Sequence, residues 1–194
     1  FIGDHGRCQV RGKQWCYDSG FGIPLIVRYP EKYKPAVRDD LVNAIDITYS
    51  ILKLADAKTP KHLQGRDFLA DKPKQAKYVF GARDRCDETI ETIRTVRDKR
   101  YRYIRNYMLW RPYMAANRYK DTSYPIRNLL RELDTKGELT PEQQWWMDPV
   151  KPFEELYDIK NDPDEVNNLA TLPEYQEKLK ELRKAHIKWL KDTR

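Results

Sequence analysis

No apolar run in this 194-residue sequence approaches the ~20 residues that a bilayer-spanning helix needs, so nothing in it reads as a membrane-crossing segment. Cysteine is scarce. Cys8, Cys16 and Cys86 are odd in number and show no C-x-x-C spacing, which argues against both a disulfide framework and a structural zinc site. Spacing alone leaves a Cys8–Cys16 bridge undecided. Internal repeats and low-complexity tracts are missing, which excludes repeat architectures. Long blocks of one charge sign are missing. The net charge of +7 comes from 37 basic and 30 acidic residues interspersed along the chain. That is weaker than the basic stripe of a nucleic-acid binder and suits an anionic substrate at least as well. The first residues show no basic leader, no signal-peptide pattern and no starter methionine, and they open inside an apparent strand. The expectation is a piece of a longer chain.

What is present suffices for one large domain or two small ones: 40% hydrophobic residues for a core and 35% charged residues for a surface. Phe1-Ile2 reads as the tail of a buried strand that ends in Gly3-Asp4-His5-Gly6. Asp4 and His5 then stand side by side at a strand mouth, where open α/β sheets place ligands. A carboxylate beside a neutral imidazole is half of a metal site. A polar loop follows, carrying Lys13. Ile23-Pro24-Leu25-Ile26-Val27 then reads as a strand buried on both faces. Lys13 therefore sits between two strand candidates, at the same sheet edge as Asp4 and His5. A flexible ammonium there can hold a tetrahedral anion.

Asp39-Asp40 followed by near-helical apolar spacing to Leu54 predicts a helix of about four turns. Ala70 to Gln75 is polar and proline-containing, and the character changes after it. Strands are expected at 77–81, 92–96, 100–107 and 155–159. The run from Lys99 to Tyr107 interleaves basic and aromatic residues. It reads as a half-exposed antiparallel strand with two dissimilar faces. Helices are expected at 124–133, from the capping box Thr140-Pro141-Glu142-Gln143, from Asp162 to Leu169, and at 174–191.

Several of these pieces together resemble the formylglycine-dependent sulfatases of the alkaline-phosphatase superfamily. The likeness rests on Asp4-His5-Gly6 and on the pattern Lys13-x-x-x-Tyr17-Asp18-x-Gly20-x-x-Ile23-Pro24-Leu25-Ile26. It continues through Leu41 to Ile47 with Ile51-Leu52, and through Val96 to Ile104. It closes with Glu155-Leu156-Tyr157-Asp158, Asp162-Pro163-x-Glu165 and Asn168-Leu169. Nearly the whole chain is covered, in family order.

The resemblance implies an α/β fold: the C-terminal part of an alkaline-phosphatase-like sandwich in residues 1–72, and a small antiparallel-sheet α+β subdomain in 73–194. It implies a sulfuric ester hydrolase acting on a sulfated small molecule or glycan, with calcium or another divalent metal. Asp4 and His5 would be two of the metal ligands, and Lys13 would grip the sulfate oxygens. Arg83, Asp84 and Arg85 would sit where the substrate's sugar or aryl group can be reached. The family nucleophile is a formylglycine made from a C/S-x-P-x-R motif. None of Cys8, Cys16 and Cys86 has proline two residues on. Ser123-Tyr124-Pro125-Ile126-Arg127 matches the short pattern. However, it follows the Asp-His pair instead of preceding it, and Arg131-Glu132 replaces the usual Thr-Gly. The motif is therefore expected upstream of this sequence. A phosphate or phosphonate ester hydrolase of the same superfamily is a close variant. A non-catalytic anionic-polymer or nucleic-acid binding module using Lys99 to Tyr107 is the reading from a different class.

Overall fold

A computed structural model describes residues 1–193. Its framework is a four-stranded antiparallel sheet in simple sequential order, β1 (Val79–Cys86), β2 (Thr89–Arg97), β3 (Tyr101–Asn106) and β4 (Glu154–Asp158). Register shifts between Arg83 and Arg85 mark a bulge in β1, where the strand bends. Side chains on successive residues point to opposite faces, and both faces are covered. On one, Val96, Tyr103 and Leu156 pack with Leu179 and Leu182 of the C-terminal helix α6 (Gln176–Asp192). On the other, Ile93, Ile104 and Tyr157 pack with Tyr113, Leu130, Trp146 and, from the start of the chain, Trp15, Cys16 and Tyr17. Leu130 lies on α4 (Pro125–Lys136), which ends at Gly137 in the left-handed conformation. Trp146 lies on α5 (Pro141–Met147), where the Thr140–Gln143 capping box forms as expected. The second core therefore draws on residues from both before and after position 72.

Three expectations are corrected. The strand at 100–107 is not half-exposed. It is an inner strand, with Arg102, Tyr103, Ile104 and Asn106 all buried. Its basic residues are taken up in ion pairs: Lys99 with Asp39, Arg100 with Asp158, Arg102 with Asp18 and Glu165, Arg105 with Glu154. That removes the surface the nucleic-acid reading required. Residues 23–27 are not buried on both faces. A single antiparallel bridge joins Ile2 to Leu25, and Ile26 is 62% exposed. One bridging segment cannot cover both faces of a strand. Finally, Asp162 to Leu169 is a turn and not a helix. Asp162 caps the amides of Val166 and Asn167, but Glu165 takes φ +54°, which a helix does not accommodate.

The helix expected after Asp39 begins later, as α2 (Ala44–Leu54), because Asn43 and not the aspartate pair starts it. The Asn43 amide donates to Asp46 Oδ2. Asp46 is itself buried and accepts from the Arg66 amide, while the Asn43 side chain donates to the Phe80 carbonyl. The Asn43–Asp46 piece of the motif thus fastens α2 to its neighbours. All three cysteines are free, and no described helix is long and apolar enough to cross a membrane.

Candidate functional site

Residues 1–7 run antiparallel to 19–26. Gly3 donates to the Pro24 carbonyl, Gly6 to Gly20 and Arg7 to Ser19. The close approach needs glycine: a Cβ on Gly20 would lie 2.2 Å from the Trp15 carbonyl oxygen, and one on Gly6 2.2 Å from that of Ser19. Between these two stretches the chain forms a compact loop, with the short helix α1 (Asp18–Phe21) at its end and Lys13 near its apex.

Several anchors hold this loop to the sheet. Tyr17 donates its hydroxyl to Glu155 Oε2 at 2.8 Å, and the same buried carboxylate accepts from Tyr113, Tyr157 and Asn106. Asp18 accepts from Arg102 Nη2 at 2.7 Å, and its own amide donates to Glu165. Glu165 in turn faces Arg102 Nε at 2.8 Å, and burial pushes its carboxyl up to about 7. Arg11 donates to the carbonyls of Asp164 and Glu165 and lies over the Tyr17 ring at 4.2 Å. The motif pieces that lie far apart in sequence therefore meet here. Tyr17 and Asp18 from the first, Arg102 from the middle, and Glu155 and Glu165 from the last lock one another.

Lys13 is fixed through its backbone. Its amide donates to the Arg7 carbonyl at 2.7 Å, and its carbonyl accepts from Lys120 Nζ at 2.6 Å. Its own ammonium is left over the Tyr119 ring, 5.2 Å from the centroid, in a half-buried position. Lys120 sits on α3 (Arg118–Ser123) and is 1% exposed. Burial is the main reason its ammonium is pulled down to about 7, with Arg127 and Arg83 adding repulsion. Nothing in the sequence marks Lys120, one basic residue among many in the aromatic stretch after Met108. Glu155, Glu165 and Arg102 stand inside the recognised motifs, but their role as anchors shows only in three dimensions.

Asp4 and His5 share the outer end of the same hairpin. The Asp4 carboxylate is 87% exposed, and its Oδ2 lies 3.5 Å from His5 Nε2. His5 Nδ1 is 2.8 Å from the Gly6 carbonyl, which can only accept. Nδ1 is therefore the donor of that contact, and Nε2 faces the Asp4 carboxylate. That donor set fits two positions in the shell of a divalent cation. No group of three or more His, Cys, Asp or Glu residues that could hold a metal occurs among the described residues, so these two are a partial shell.

Arg83, Asp84 and Arg85 do not converge. Arg83 is buried with its guanidinium 4.4 Å from the Trp15 ring, beneath the Lys13 loop. Asp84 pairs with Arg94, and Arg85 donates to the Asp87 carbonyl, both at the surface. The Ser123–Arg127 pattern is structural. Pro125 starts α4, and Arg127 is buried, donating to Asp121 and to the Ala115 carbonyl.

Residues 3–136 match the family described as N-sulphoglucosamine sulphohydrolase, C-terminal. The chain belongs to this family. It is 42% identical over 192 residues to an ulvan-active sulfatase of Formosa agariphila, covering 98% of this chain and 32% of that protein. It is 26% identical to the human N-sulphoglucosamine sulphohydrolase, covering all of this chain and 41% of that protein. Among solved structures, a 2-O GAG sulfatase superposes with a TM-score of 0.63 at 21% identity, over 91% of this chain and 31% of that one. The sulfatase C-terminal segment is thus both the family and the fold, and the chain spans roughly a third of the length of such relatives.

Proposed function

We propose that this chain supplies the sulfate-gripping lysine and part of the metal shell of a sulfuric ester hydrolase acting on sulfated glycans. The observation that carries the reading is Lys13. Its backbone is clamped from two sides, while its ammonium rests over the Tyr119 ring and makes no ion pair among the described residues, on the hairpin that also carries Asp4 and His5. A clamped backbone with a usable charge suits a group that must meet developing negative charge without reorganising. Asp4 and His5 would hold a divalent cation, with calcium the family expectation; when bound it supplies charge neutralisation at the transferred group. The nucleophile, expected as a formylglycine, and the remaining ligands would come from outside these residues. The glycan assignment rests on relatives whose names point that way: ulvan-active and GAG sulfatases, and a structural neighbour solved with D-glucosamine-2-N,6-O-disulfate.

The test uses the intact polypeptide that carries this chain. It should release sulfate from sulfated oligosaccharides or a chromogenic aryl sulfate, and lose that activity with Lys13→Ala or with chelation. Preferential turnover of the matched phosphate ester would move the assignment to the phosphate-hydrolysing branch. Binding without turnover, insensitive to Lys13→Ala, would end the hydrolase reading.

A further inference from the structure

Beneath the Lys13 loop lies a cavity of about 10 Å³, room for a single water-sized particle. Its walls include Gln14, Trp15, Arg83, Glu91, Asn117 and Lys120. Their polarity is lopsided. Arg83 is 9% exposed and makes no ion pair among the described residues, and its Nε and Nη1 have no hydrogen-bond partner. The indole Nε1 of Trp15 and the amide Nε2 of Gln14 are buried without an acceptor as well. Four N–H-bearing nitrogens around one small cavity therefore lack partners. The acceptors nearby are engaged: Glu91 holds the Lys151 ammonium, and Asn117 Oδ1 takes the Lys120 amide. Lys120 Nζ donates to the carbonyls of Lys13 and Val10 and offers the cavity no acceptor.

The nearest carboxylate to Arg83, that of Glu91, is already paired with Lys151, and a buried guanidinium with only a shared counter-charge is costly. A water molecule has two acceptor lone pairs and must place two hydrogens of its own, which a wall of donors does not favour. A monatomic anion accepts from every side and neutralises Arg83 at once. We propose that this cavity is a site for one small anion of halide size, chloride being the candidate, which holds Arg83, Trp15 and Gln14 together under the Lys13 loop. A five-atom sulfate needs more room than a single monatomic ion, and this site lies beneath the Lys13 loop, walled by Trp15, Arg83 and Lys120, so it is separate from the one proposed for the substrate.

Stability and anomalous scattering test it without reference to activity. The melting temperature of the intact polypeptide is followed in sodium chloride against sodium gluconate at constant ionic strength. The expected result is a saturable rise, roughly 1 °C at tenfold excess over Kd for a polypeptide about three times the length of this chain, specific to the halide. Arg83→Met, which removes both the charge and the unpaired donors at similar length, should abolish the response. Should that variant not fold, crystals of the unaltered protein grown in bromide serve instead. They should show an anomalous peak within hydrogen-bond reach of Arg83 Nε and Trp15 Nε1. Equal melting in chloride and gluconate overturns the proposal. So does water density in the cavity without a bromide signal, or halide stabilisation whose bromide peak lies elsewhere.

Discussion

At the scale of single residues, the proposed function makes Lys13 the group that would act and leaves others to hold it. Lys13 makes no side-chain ion pair among the described residues. Its ring contact with Tyr119 contributes about 0.5–1 kcal/mol at most at a partly exposed position. Lys13→Ala should leave the melting temperature nearly unchanged while kcat/KM falls roughly a hundred- to a thousand-fold, the usual cost of one such charge-assisted contact. Lys13→Arg should rescue only partly, since a planar fork does not replace a compact ammonium. Kinetics and melting on the same two variants check this, and near wild-type turnover in Lys13→Ala would remove Lys13 from the site.

Lys120 is the holding group, and it should leave a mark on stability. Its ammonium is depressed from its ordinary value to about 7 in the fold. Between pH 7 and about 10, therefore, the unfolded chain binds the extra proton, and stability contributed at this position rises with pH. Lys120→Met should flatten that rise when unfolding is followed across this range. It should also lower kcat, because the Lys13 carbonyl loses its tether. A parallel pH dependence in the variant would show that the ammonium is not depressed.

At the scale of elements, the two faces of the sheet have different duties. One is covered by α6 and does nothing but pack. The other is covered by the loop that carries Lys13, so packing there sets geometry. Leu182, fully buried on the sheet-facing side of α6, should cost about 2–5 kcal/mol when cut to Ala, with the surviving folded protein keeping its turnover. Tyr17→Phe should cost less, about 1–3 kcal/mol, by leaving Glu155 with one donor fewer in a buried place. Its effect on kcat should exceed that of Leu182→Ala, because the released loop is the one that aims Lys13. Denaturant melts paired with single-substrate kinetics distinguish the two; equal losses of kcat would show that the loop is not held through Tyr17.

At the scale of the whole molecule, exposed apolar side chains gather in the first part of the chain. Ile26, Val27, Ile45, Ile51 and Leu54 are each more than two-fifths exposed. The ulvan-active sulfatase that this chain resembles is about three times as long, and in a protein of that length the remaining sequence would cover such a surface. Expressed alone, residues 1–194 should bind a hydrophobic dye, associate in size-exclusion chromatography, and hydrolyse no sulfate ester. A monodisperse monomer with a cooperative melt would contradict the first part, and turnover lost on Ser123→Ala the last.

The sequence by itself determined the family and the positions of most elements. Periodicity marked α4, α6 and the four strands, and the capping box at Thr140 placed α5, because those signals are local and each residue's neighbours suffice to read them. It also picked out Asp4, His5 and Lys13 as chemistry-bearing types in family order. It misplaced what depends on who covers whom. The alternation of Arg100 to Tyr107 looked like one wet face and one dry, but Asp18, Glu154, Asp158 and Glu165 arrive from distant segments to neutralise the basic side chains and make an inner strand of it. The apolar run at Ile23 looked buried and is not, since burial requires partners that a run cannot supply. That Glu155 would gather three tyrosines and an asparagine, that Lys120 would reach the Lys13 carbonyl across 107 positions, and that Arg83 would lie unpaired under the same loop were decided only by tertiary structure. Burial gives those charges their meaning, and burial is a property of the assembled chain.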